Sequence, residues 1–259
     1  MPSEAQLQIP FRIRIGITGH RTLPHEARVR AAVQRVVHQE IEALYYAATQ
    51  AHPPQPLYEA VTALADGTDQ VVASEILKMP GSAVEAVLPL EESEYRATIS
   101  DAGMAAFDQL LRADRDPRRM RRLALEQEFP GRSAEDLQTK RDAAYDAAGY
   151  YVVDHCDVLI AVWDQAPPPQ DATHRSRPPG EGTRRTVSYA KTRKRPVIII
   201  DPHDPENISV EWGNGLNATA VPALARFNNL SANPRKERAA REAVTGQLFG
   251  GSQPDGIRE

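Results

Sequence analysis

The stretch RIRIGITGHR, residues 12–21, decides the fold of this chain. Apolar residues alternate with polar ones over 12–19, and β-branched isoleucines favour extended backbone, so this segment is predicted to be a β-strand. A helix is predicted to follow from Pro24 to about Gln50, where apolar residues recur every three or four positions. Proline suits the first turn of a helix, because the N–H that it lacks needs no partner there.

Strands and helices continue to alternate along the rest of the chain. The run DVLIAVWD is almost wholly apolar, which is typical of a strand buried on both faces of a parallel sheet. Further strands are predicted near residues 58–64, 84–88, 157–163 and 196–200. Helices are predicted over residues 66–78, 91–113, 133–156 and 183–193, with weaker helices near 219–230 and 235–247.

This alternation predicts an α/β fold, namely a Rossmann-like open parallel sheet of at least five strands with helices on both faces and a C-terminal helical tail. The expected strand order is 3-2-1-4-5. We divide the chain into an N-terminal tail (1–11), one Rossmann-like domain (12–203) and an irregular to helical C-terminal extension (204–259). Ligands of such sheets bind beyond the carboxyl ends of the strands, where the strand order reverses. The residues that follow each strand are therefore the candidates for a site.

Composition excludes several classes of function. The 259 residues carry 31 basic and 35 acidic side chains, and the net charge of −4 excludes a polycation that coats nucleic acid. The one cysteine, Cys156, excludes a disulfide scaffold and is interpreted as a core thiol. The seven histidines form no pair with metal-ligand spacing, so no metal site is expected. Because no apolar run has the length of a membrane helix and the N-terminus lacks the features of a signal peptide, we expect a cytoplasmic protein.

Two glycine-rich turns carry the main evidence for a ligand. In GITGHR, residues 16–21, glycine lets backbone N–H groups approach a phosphate, and Arg21 adds a charged contact. GEGT, residues 180–183, opens a helix whose positive end also favours an anion, and the hydroxyl of Thr183 can cap that helix or bind a phosphate. The alternative for the first turn is a tight turn with a solvated histidine and arginine.

Basic residues surround the second turn. Residues 175–195 hold eight basic residues and one acidic residue, Glu181. This excess, to which Arg184 contributes, favours an anionic ligand, with a solvated basic helix face as the alternative. A second basic segment, 112–122, contains six arginines and two aspartates.

Residues at other predicted strand ends complete the candidate site. The ring of Trp163 could stack on a base and the carboxylate of Asp164 could bind ribose hydroxyls, unless they are a core tryptophan and a turn aspartate. Glu94 and Tyr95 lie in the first turn of a helix, where an acidic residue is also ordinary stabilisation. None of these residues is assigned a catalytic role. The candidate ligand-binding residues are Gly16, Thr18, Gly19, His20, Arg21, Gly67, Asp69, Glu94, Tyr95, Trp163, Asp164, Gly180, Gly182, Thr183 and Arg184.

Taken together, these motifs resemble those of one superfamily. They occur in the order seen in the SLOG superfamily, the Rossmann-like group related to the LOG proteins and to DNA-processing protein A. The resemblance covers roughly residues 12–201 and is strongest to bacterial sensor domains. It implies binding of nucleotides or nucleotide-derived signals, some of them derived from NAD. The motifs that carry it are GITGHR, TALADGTDQVVA (62–73), PLEESEY (89–95), CDVLIAVWD (156–164), GEGT and RPVIIID (195–201).

The resemblance to LOG enzymes is incomplete at a position that matters for catalysis. Those enzymes release the base from nucleoside monophosphates and carry the motif PGGxGTxxE. In the corresponding stretch, 178–186, Pro179 replaces a glycine and Thr186 stands where the glutamate is expected. A hydroxyl cannot stabilise an oxocarbenium-like state as a carboxylate does. The resemblance therefore retains the phosphate-binding turn and counts against the hydrolase activity.

The leading hypothesis is a non-catalytic sensor of a nucleotide-like signal in a bacterial signalling or anti-phage system. Phosphates would lie over both glycine turns, ribose near Asp69 or Asp164, and base near Trp163 or Tyr95. Such a sensor needs no cofactor beyond its ligand. We expect a homo-oligomer that acts through a fused or separate effector.

Two other functions stay open. The chain could be an N-glycosidase that uses Glu94 or Asp69 in place of the missing glutamate. It could also bind single-stranded DNA through residues 112–122 and 175–195. Aromatic residues make up only 6% of the chain and form no stacking stripe in those segments, which counts against DNA binding.

Overall fold

The computed structural model describes residues 11–42, 45, 55–113, 134–167 and 180–211, and for 134–136 the backbone alone. The strands are β1 (Arg12–Gly19), β2 (Leu57–Thr62), β3 (Ala83–Ala86), β4 (Val158–Val162), β5 (Val197–Ile200) and β6 (Ile208–Glu211). The helices are α1 (Glu26–Arg35), which continues as a π-helix over Val36–Ile41, α2 (Thr68–Ile76), α3 (Glu92–Arg96), α4 (Asp101–Ala113), α5 (Ala134–Asp154) and α6 (Glu181–Thr192).

The six strands form one sheet in the order β3-β2-β1-β4-β5-β6. The first five strands are parallel, so the predicted α/β fold and the order 3-2-1-4-5 are confirmed. β1 lies at the centre, with Ile15 opposite Ala60 of β2 and Ile17 opposite Ile160 of β4. From β1 the chain winds outward in both directions. The reversal of strand order between β1 and β4 is where ligands of such sheets bind.

Burial on both faces of the sheet explains why the central strands are apolar. In β4, Ile160 and Val162 pack in the same apolar cluster as Val29 and Val33 of α1. The alternate residues Leu159 and Ala161 pack on the opposite face, together with side chains of α5 and α6. Because successive side chains of a strand point to opposite faces, a strand covered on both sides must be apolar at every position. The interpretation of DVLIAVWD as such a strand is confirmed.

The structure differs from the prediction at one helix and at one additional strand. The helix predicted over 91–113 is two helices, because the hydroxyl of Ser100 accepts from the N–H of Gly103 at 3.1 Å and caps a new helix. Asp66 holds Ser100 there by accepting from its N–H and its hydroxyl at 2.9 and 3.2 Å. β6 was not predicted, since Ile208–Glu211 is too short and too mixed in polarity for a periodicity to stand out. This strand extends the sheet past residue 203, antiparallel to β5.

Other predictions fall on parts of the chain that the structure does not describe. These are most of the basic segment 112–122, the tail 1–11 apart from Phe11, and the weak helices near 219–230 and 235–247. The helix predicted from Pro24 begins at Glu26 and is described as far as residue 42. Within the described ranges, no helix has the length and apolar character needed to cross a membrane.

Candidate functional site

A cavity of about 570 Å³ opens at the carboxyl ends of β1 and β2. Its wall combines the turn after β1, the loop after β2, Tyr95 of α3, one side of α5 and the first turn of α6. These elements are far apart in sequence and meet here because the parallel strands deliver them to the same edge of the sheet. Nine of the fifteen predicted ligand-binding residues line the cavity: Thr18, Gly19, His20, Arg21, Asp69, Tyr95, Gly180, Gly182 and Thr183.

The turn after β1 is held by close backbone packing. The N–H of His20 donates to the carbonyl of Val162 at 3.1 Å, and the carbonyl of His20 accepts from the N–H of Thr68 at 3.1 Å. A Cβ atom at Gly19 would lie only 2.4 Å from Oγ1 of Thr68, so glycine is required there. Gly67 has a φ of +76°, and a Cβ atom on it would lie 2.3 Å from the carbonyl oxygen of Arg21. Gly67 is therefore a structural residue that lets α2 approach the turn.

Arg21 is the charged residue of this turn, and it lines the cavity. Its Nη1 donates to the carbonyl of Thr98 at 3.2 Å, and its Cζ lies 5.8 Å from the ring centre of Tyr145. No described residue forms an ion pair with this guanidinium. The side chain of Tyr145 also bonds to Arg21, and the charge of Asp69 acts on Arg21 from beyond ion-pair distance. A guanidinium with no carboxylate at ion-pair distance keeps donors available for an anion.

Asp69 lies beside Arg21 with 6% of its surface exposed. Its carboxylate accepts a hydrogen bond from the N–H of Ala65 at 3.2 Å and others from the hydroxyl of Thr62 and the N–H of Ala63. Burial raises the pKa of Asp69 from 3.8 to about 6, although these bonds and the charge of Arg21 oppose the rise. Asp69 therefore changes its charge close to neutral pH.

Tyr95 contributes a hydroxyl to the site, while its ring belongs to the core. The ring packs against Phe107 and Tyr145 at centroid distances of 6.1 and 6.2 Å, and the residue is fully buried. A base would need a free ring face for stacking, and this ring has packed neighbours instead. The hydroxyl has no hydrogen-bond partner among the described residues. Burial is the main cause that raises the pKa of Tyr95 well above its ordinary value.

The second glycine turn meets the first across the cavity. Gly180 has a left-handed backbone with φ of +79° and precedes α6, a helix of 12 residues. A Cβ atom at Gly180 would lie 3.4 Å from Cε1 of His20, so one small ligand can reach both turns. The N–H groups in the first turn of α6 have no partner within the helix, and Gly182 and the buried Thr183 bring that turn to the cavity wall.

Arg184 is directed away from the cavity. Its Nε and Nη2 donate to the two carboxylate oxygens of Glu181 at 2.8 and 2.6 Å, and the side chain is 45% exposed. Arg185 donates to the same carboxylate. These bonds, with that from Arg184 the largest cause, lower the pKa of Glu181 from 4.5 to about 2. The structure therefore does not bring Arg184 to the other predicted phosphate ligands.

Acidic residues from other segments compensate much of the basic window 175–195. Asp146 pairs with Arg185 at 3.0 Å and Asp154 pairs with Arg193 at 2.8 Å, while Glu211 of β6 pairs with Lys191. Much of the positive charge counted along this window is therefore neutralised in the folded protein by acidic residues from outside the window. Residues 168–179, which carry two of its arginines, lie outside the described part of the chain.

The remaining candidates lie around the cavity without lining it. A Cβ atom at Gly16 would lie 2.8 Å from Sγ of Cys156, so this glycine allows β1 to pack against the core. Trp163 is buried in the apolar cluster under α5 and α6. Asp164 faces Nε2 of His20 at 3.2 Å, and Glu94, 51% exposed, lies 3.5 Å from Arg141.

The environment of Cys156 confirms a core thiol. It is 2% exposed, and burial raises its pKa to about 12. Among the described residues, no group of three or more histidine, cysteine or carboxylate side chains could hold a metal ion.

The contribution of α5 to the cavity was not predicted from the sequence. Tyr145 and Gly149 on this helix line the cavity, as does Thr186 of α6. A Cβ atom at Gly149 would lie 2.4 Å from Oγ1 of Thr186, whose hydroxyl donates to the carbonyl of Gly182 at 3.0 Å. Glycine within a long helix was the one sequence feature that could have indicated this close contact.

No protein-family model matches the chain, and no curated protein matches it with significant similarity. The class that the fold and the cavity define is a Rossmann-like α/β protein with a ligand-sized cavity beside the central strand of its sheet.

Proposed function

We propose that the chain binds a nucleotide-derived small molecule in the cavity and acts as a non-catalytic sensor of that molecule. The observation that carries this proposal is the meeting of both glycine turns at one cavity, where Arg21 offers a charge that no described carboxylate pairs with. A volume of about 570 Å³ is in the range of ligand sites, roughly 300–1,000 Å³.

The phosphate of the ligand belongs between Arg21 and the first turn of α6. A helix N-terminus offers N–H groups and a partial positive charge, and an arginine offers paired donors. The hydroxyl of Thr183 lies in the same wall and can donate a further bond. Together these groups supply the donors that a single phosphate needs.

The base of the ligand belongs on the apolar part of the wall. Ile17, Ala63, Ala148 and Val152 line the cavity beside the polar groups. We assign the base to this surface and not to the rings of Trp163 and Tyr95, because both rings are packed into the core. Small apolar side chains leave space for a flat ring and remove its faces from water.

A non-catalytic role is supported by the contact between α5 and α6. The glutamate that LOG enzymes carry has no equivalent at Thr186, and Gly149 packs so closely on this side chain that a longer one would need the helices to separate. The resemblance to SLOG sensor domains supports a role upstream of an effector, in a homo-oligomer. The effector and the second copy of the chain are both part of the proposal.

Isothermal titration with AMP, ADP-ribose, NAD and cyclic dinucleotides tests this function. We expect at least one to bind, and at 100 times its dissociation constant it stabilises the folded state by about 2.7 kcal/mol. Arg21→Ala should weaken binding tenfold or more. The matched control is Arg28→Ala, which removes an exposed arginine paired with Asp204 at 3.5 Å on the outside of α1. Binding of single-stranded DNA alone, or equal losses in both variants, would contradict the proposal.

A second candidate function is cleavage of the N-glycosidic bond. Of the two carboxylates considered for it, Asp69 lines the cavity with a pKa of about 6, whereas Glu94 does not line it. A carboxyl group with a raised pKa can act as a general acid near neutral pH. Chromatography of AMP incubated with the protein separates the two functions. If the wild type releases free adenine and the Asp69→Asn variant does not, the chain is an N-glycosidase and the proposed sensor function is wrong.

A further inference from the structure

Two polar side chains from different elements share one end of the cavity wall. Asp69 comes from the first turn of α2 and Tyr95 from α3, with 6% and 0% of their surfaces exposed. Both line the cavity, and both interact electrostatically with Arg21. Polar groups that are this deeply buried normally have all their hydrogen bonds satisfied within the protein.

The hydroxyl of Tyr95 breaks that rule. It is shielded from water and has no hydrogen-bond partner among the described residues. Phenylalanine would fill the same space between Phe107 and Tyr145 without leaving an unsatisfied hydroxyl. An unpaired buried hydroxyl destabilises the fold, so its presence indicates a partner that the protein does not itself supply.

Asp69 offers the complementary acceptor. A carboxylate has about four lone-pair positions, and the bonds from Thr62, Ala65 and Ala63 leave capacity for one more donor. A tyrosine hydroxyl can both donate and accept, whereas an ionised carboxylate can only accept. A ligand alcohol can satisfy both, because its O–H donates to the carboxylate of Asp69 and its oxygen accepts from the hydroxyl of Tyr95.

The position of Arg21 limits where on the ligand this alcohol lies. If Arg21 binds the phosphate, the groups beside Arg21 contact the part of the nucleotide that is attached to the phosphate, which is the sugar. The hydrogen-bonding edge of a base is farther from the phosphate than the sugar hydroxyls are. The polar pair therefore faces the sugar.

We propose that Asp69 and Tyr95 form a hydroxyl-recognition subsite that selects ribonucleotides over their deoxy analogues. This inference rests on the proposed function, which supplies the phosphate at Arg21. It assigns the ribose to Asp69 instead of Asp164, and it gives Tyr95 a hydrogen-bonding role in place of stacking. A site built to bond a hydroxyl rejects the analogue that lacks it, because its buried polar groups are then left unpaired.

Titration of AMP and ADP-ribose against their 2′-deoxy and 3′-deoxy analogues tests the subsite. We expect the wild type to bind the ribo form at least tenfold more tightly than one of the deoxy forms. Tyr95→Phe should lose this discrimination by weakening the ribo form alone, and its melting temperature without ligand should stay equal or rise. Asp69→Asn should reduce the discrimination as well, but Tyr95→Phe decides the result if that variant folds poorly.

Tyr189→Phe is the matched control. Its hydroxyl donates to Asp154 at 3.0 Å outside the cavity, so this variant should lose stability and keep both affinities. Equal binding of ribo and deoxy ligands by a wild type that still depends on Arg21 would overturn the subsite and leave the proposed function standing. A lower melting temperature of Tyr95→Phe, with the discrimination intact, would also overturn it. Absence of binding by any of these nucleotides would overturn the proposed function itself.

Discussion

The two glycine turns look alike in sequence and differ in what they present to the cavity. Each has two glycines three or two residues apart, and each is followed by an arginine, Arg21 or Arg184. In the first turn the arginine lies against Tyr145 and Thr98 and no described carboxylate pairs with it. In the second turn the arginine donates to Glu181 through Nε and Nη2. The first turn thus offers a side-chain charge, and the second offers a helix terminus.

The carboxylates beside the two turns differ in the same way. Asp69 is buried without an ion pair to a described residue, and desolvation raises its pKa to about 6. Glu181 is held by Arg184 and Arg185, which lower its pKa to about 2. Loss of water favours the protonated acid, whereas paired cations favour the charged form. Neighbours in space, more than the residue type, decide which acid titrates near neutral pH.

The largest effect is expected from substitutions at the glycines of the two turns. Gly19→Ala should lower the free energy of unfolding by about 3 kcal/mol, because its Cβ would meet Oγ1 of Thr68 at 2.4 Å and the carbonyl of Val162 at 2.6 Å. Gly180→Ala should cost only about 1 kcal/mol, from its left-handed backbone. Urea denaturation of both variants measures the difference. Equal losses would show that the first turn is packed no more tightly than the second.

The next effect concerns the two arginines. Arg21→Ala should weaken nucleotide binding by tenfold or more, since a charge-assisted contact contributes about 1.5–3 kcal/mol. Arg184→Ala should change the affinity less than twofold, because this side chain is already paired with Glu181 outside the cavity wall. Parallel calorimetric titrations compare them. A tenfold loss on replacing Arg184 would mean that it leaves Glu181 when the ligand binds.

A smaller effect is the pH dependence contributed by Asp69. A carboxyl group whose pKa is raised in the folded state stabilises the fold at pH values below its unfolded pKa, and that stabilisation is lost as the pH rises through about 6. Relative to Asp69→Asn, the wild type should therefore lose about 1–2 kcal/mol between pH 4 and pH 7. Denaturation curves at a series of pH values give this difference. A constant difference across the range would show that Asp69 has an ordinary pKa.

Glu181 should give the smallest effect, with the opposite sign. Its lowered pKa adds stability that is present above about pH 4.5 and is lost as the pH falls through about 2. Relative to Glu181→Gln, the wild type should lose about 1 kcal/mol between pH 5 and pH 2, since both arginines are half exposed and solvent screens the pair. The same denaturation series measures it. A gain of stability toward acid pH would contradict the ion pairs described here.

The strands could be predicted from the sequence because their apolar patterns are local, and the order 3-2-1-4-5 could be predicted because strands alternate with helices and the motifs follow the strand ends. Alternation in β1 and the apolar run of β4 are set by which faces of the sheet are covered. β6 escaped prediction because four residues of mixed polarity gain their strand conformation from pairing with β5. The break between α3 and α4 escaped prediction for a similar reason, since Ser100, which caps α4, is held in place by the distant carboxylate of Asp66.

The candidate site likewise has a part that could be predicted from the sequence and a part that could not. Placement at strand ends was enough to bring nine of the predicted residues to one cavity, because parallel strands end at one edge of a sheet. It was not enough to separate Gly16, which packs on Cys156, from Gly19, which shapes the turn. The contact of Gly149 with Thr186 was out of reach too, since it joins two helices separated by a whole strand.

The sequence by itself determined the elements, their order and the edge of the sheet at which the polar residues gather, because periodicity and turn chemistry act between residues close in the chain. Only the tertiary structure decided which charges are free and which buried groups lack a partner. Glu181 pairs with Arg184, and acidic residues of other segments pair with Arg185, Arg193 and Lys191. The hydroxyl of Tyr95 has no partner within the part of the chain that the structure describes. Ion pairing and desolvation depend on distances through space, and those distances are set only when the sheet and its helices have packed.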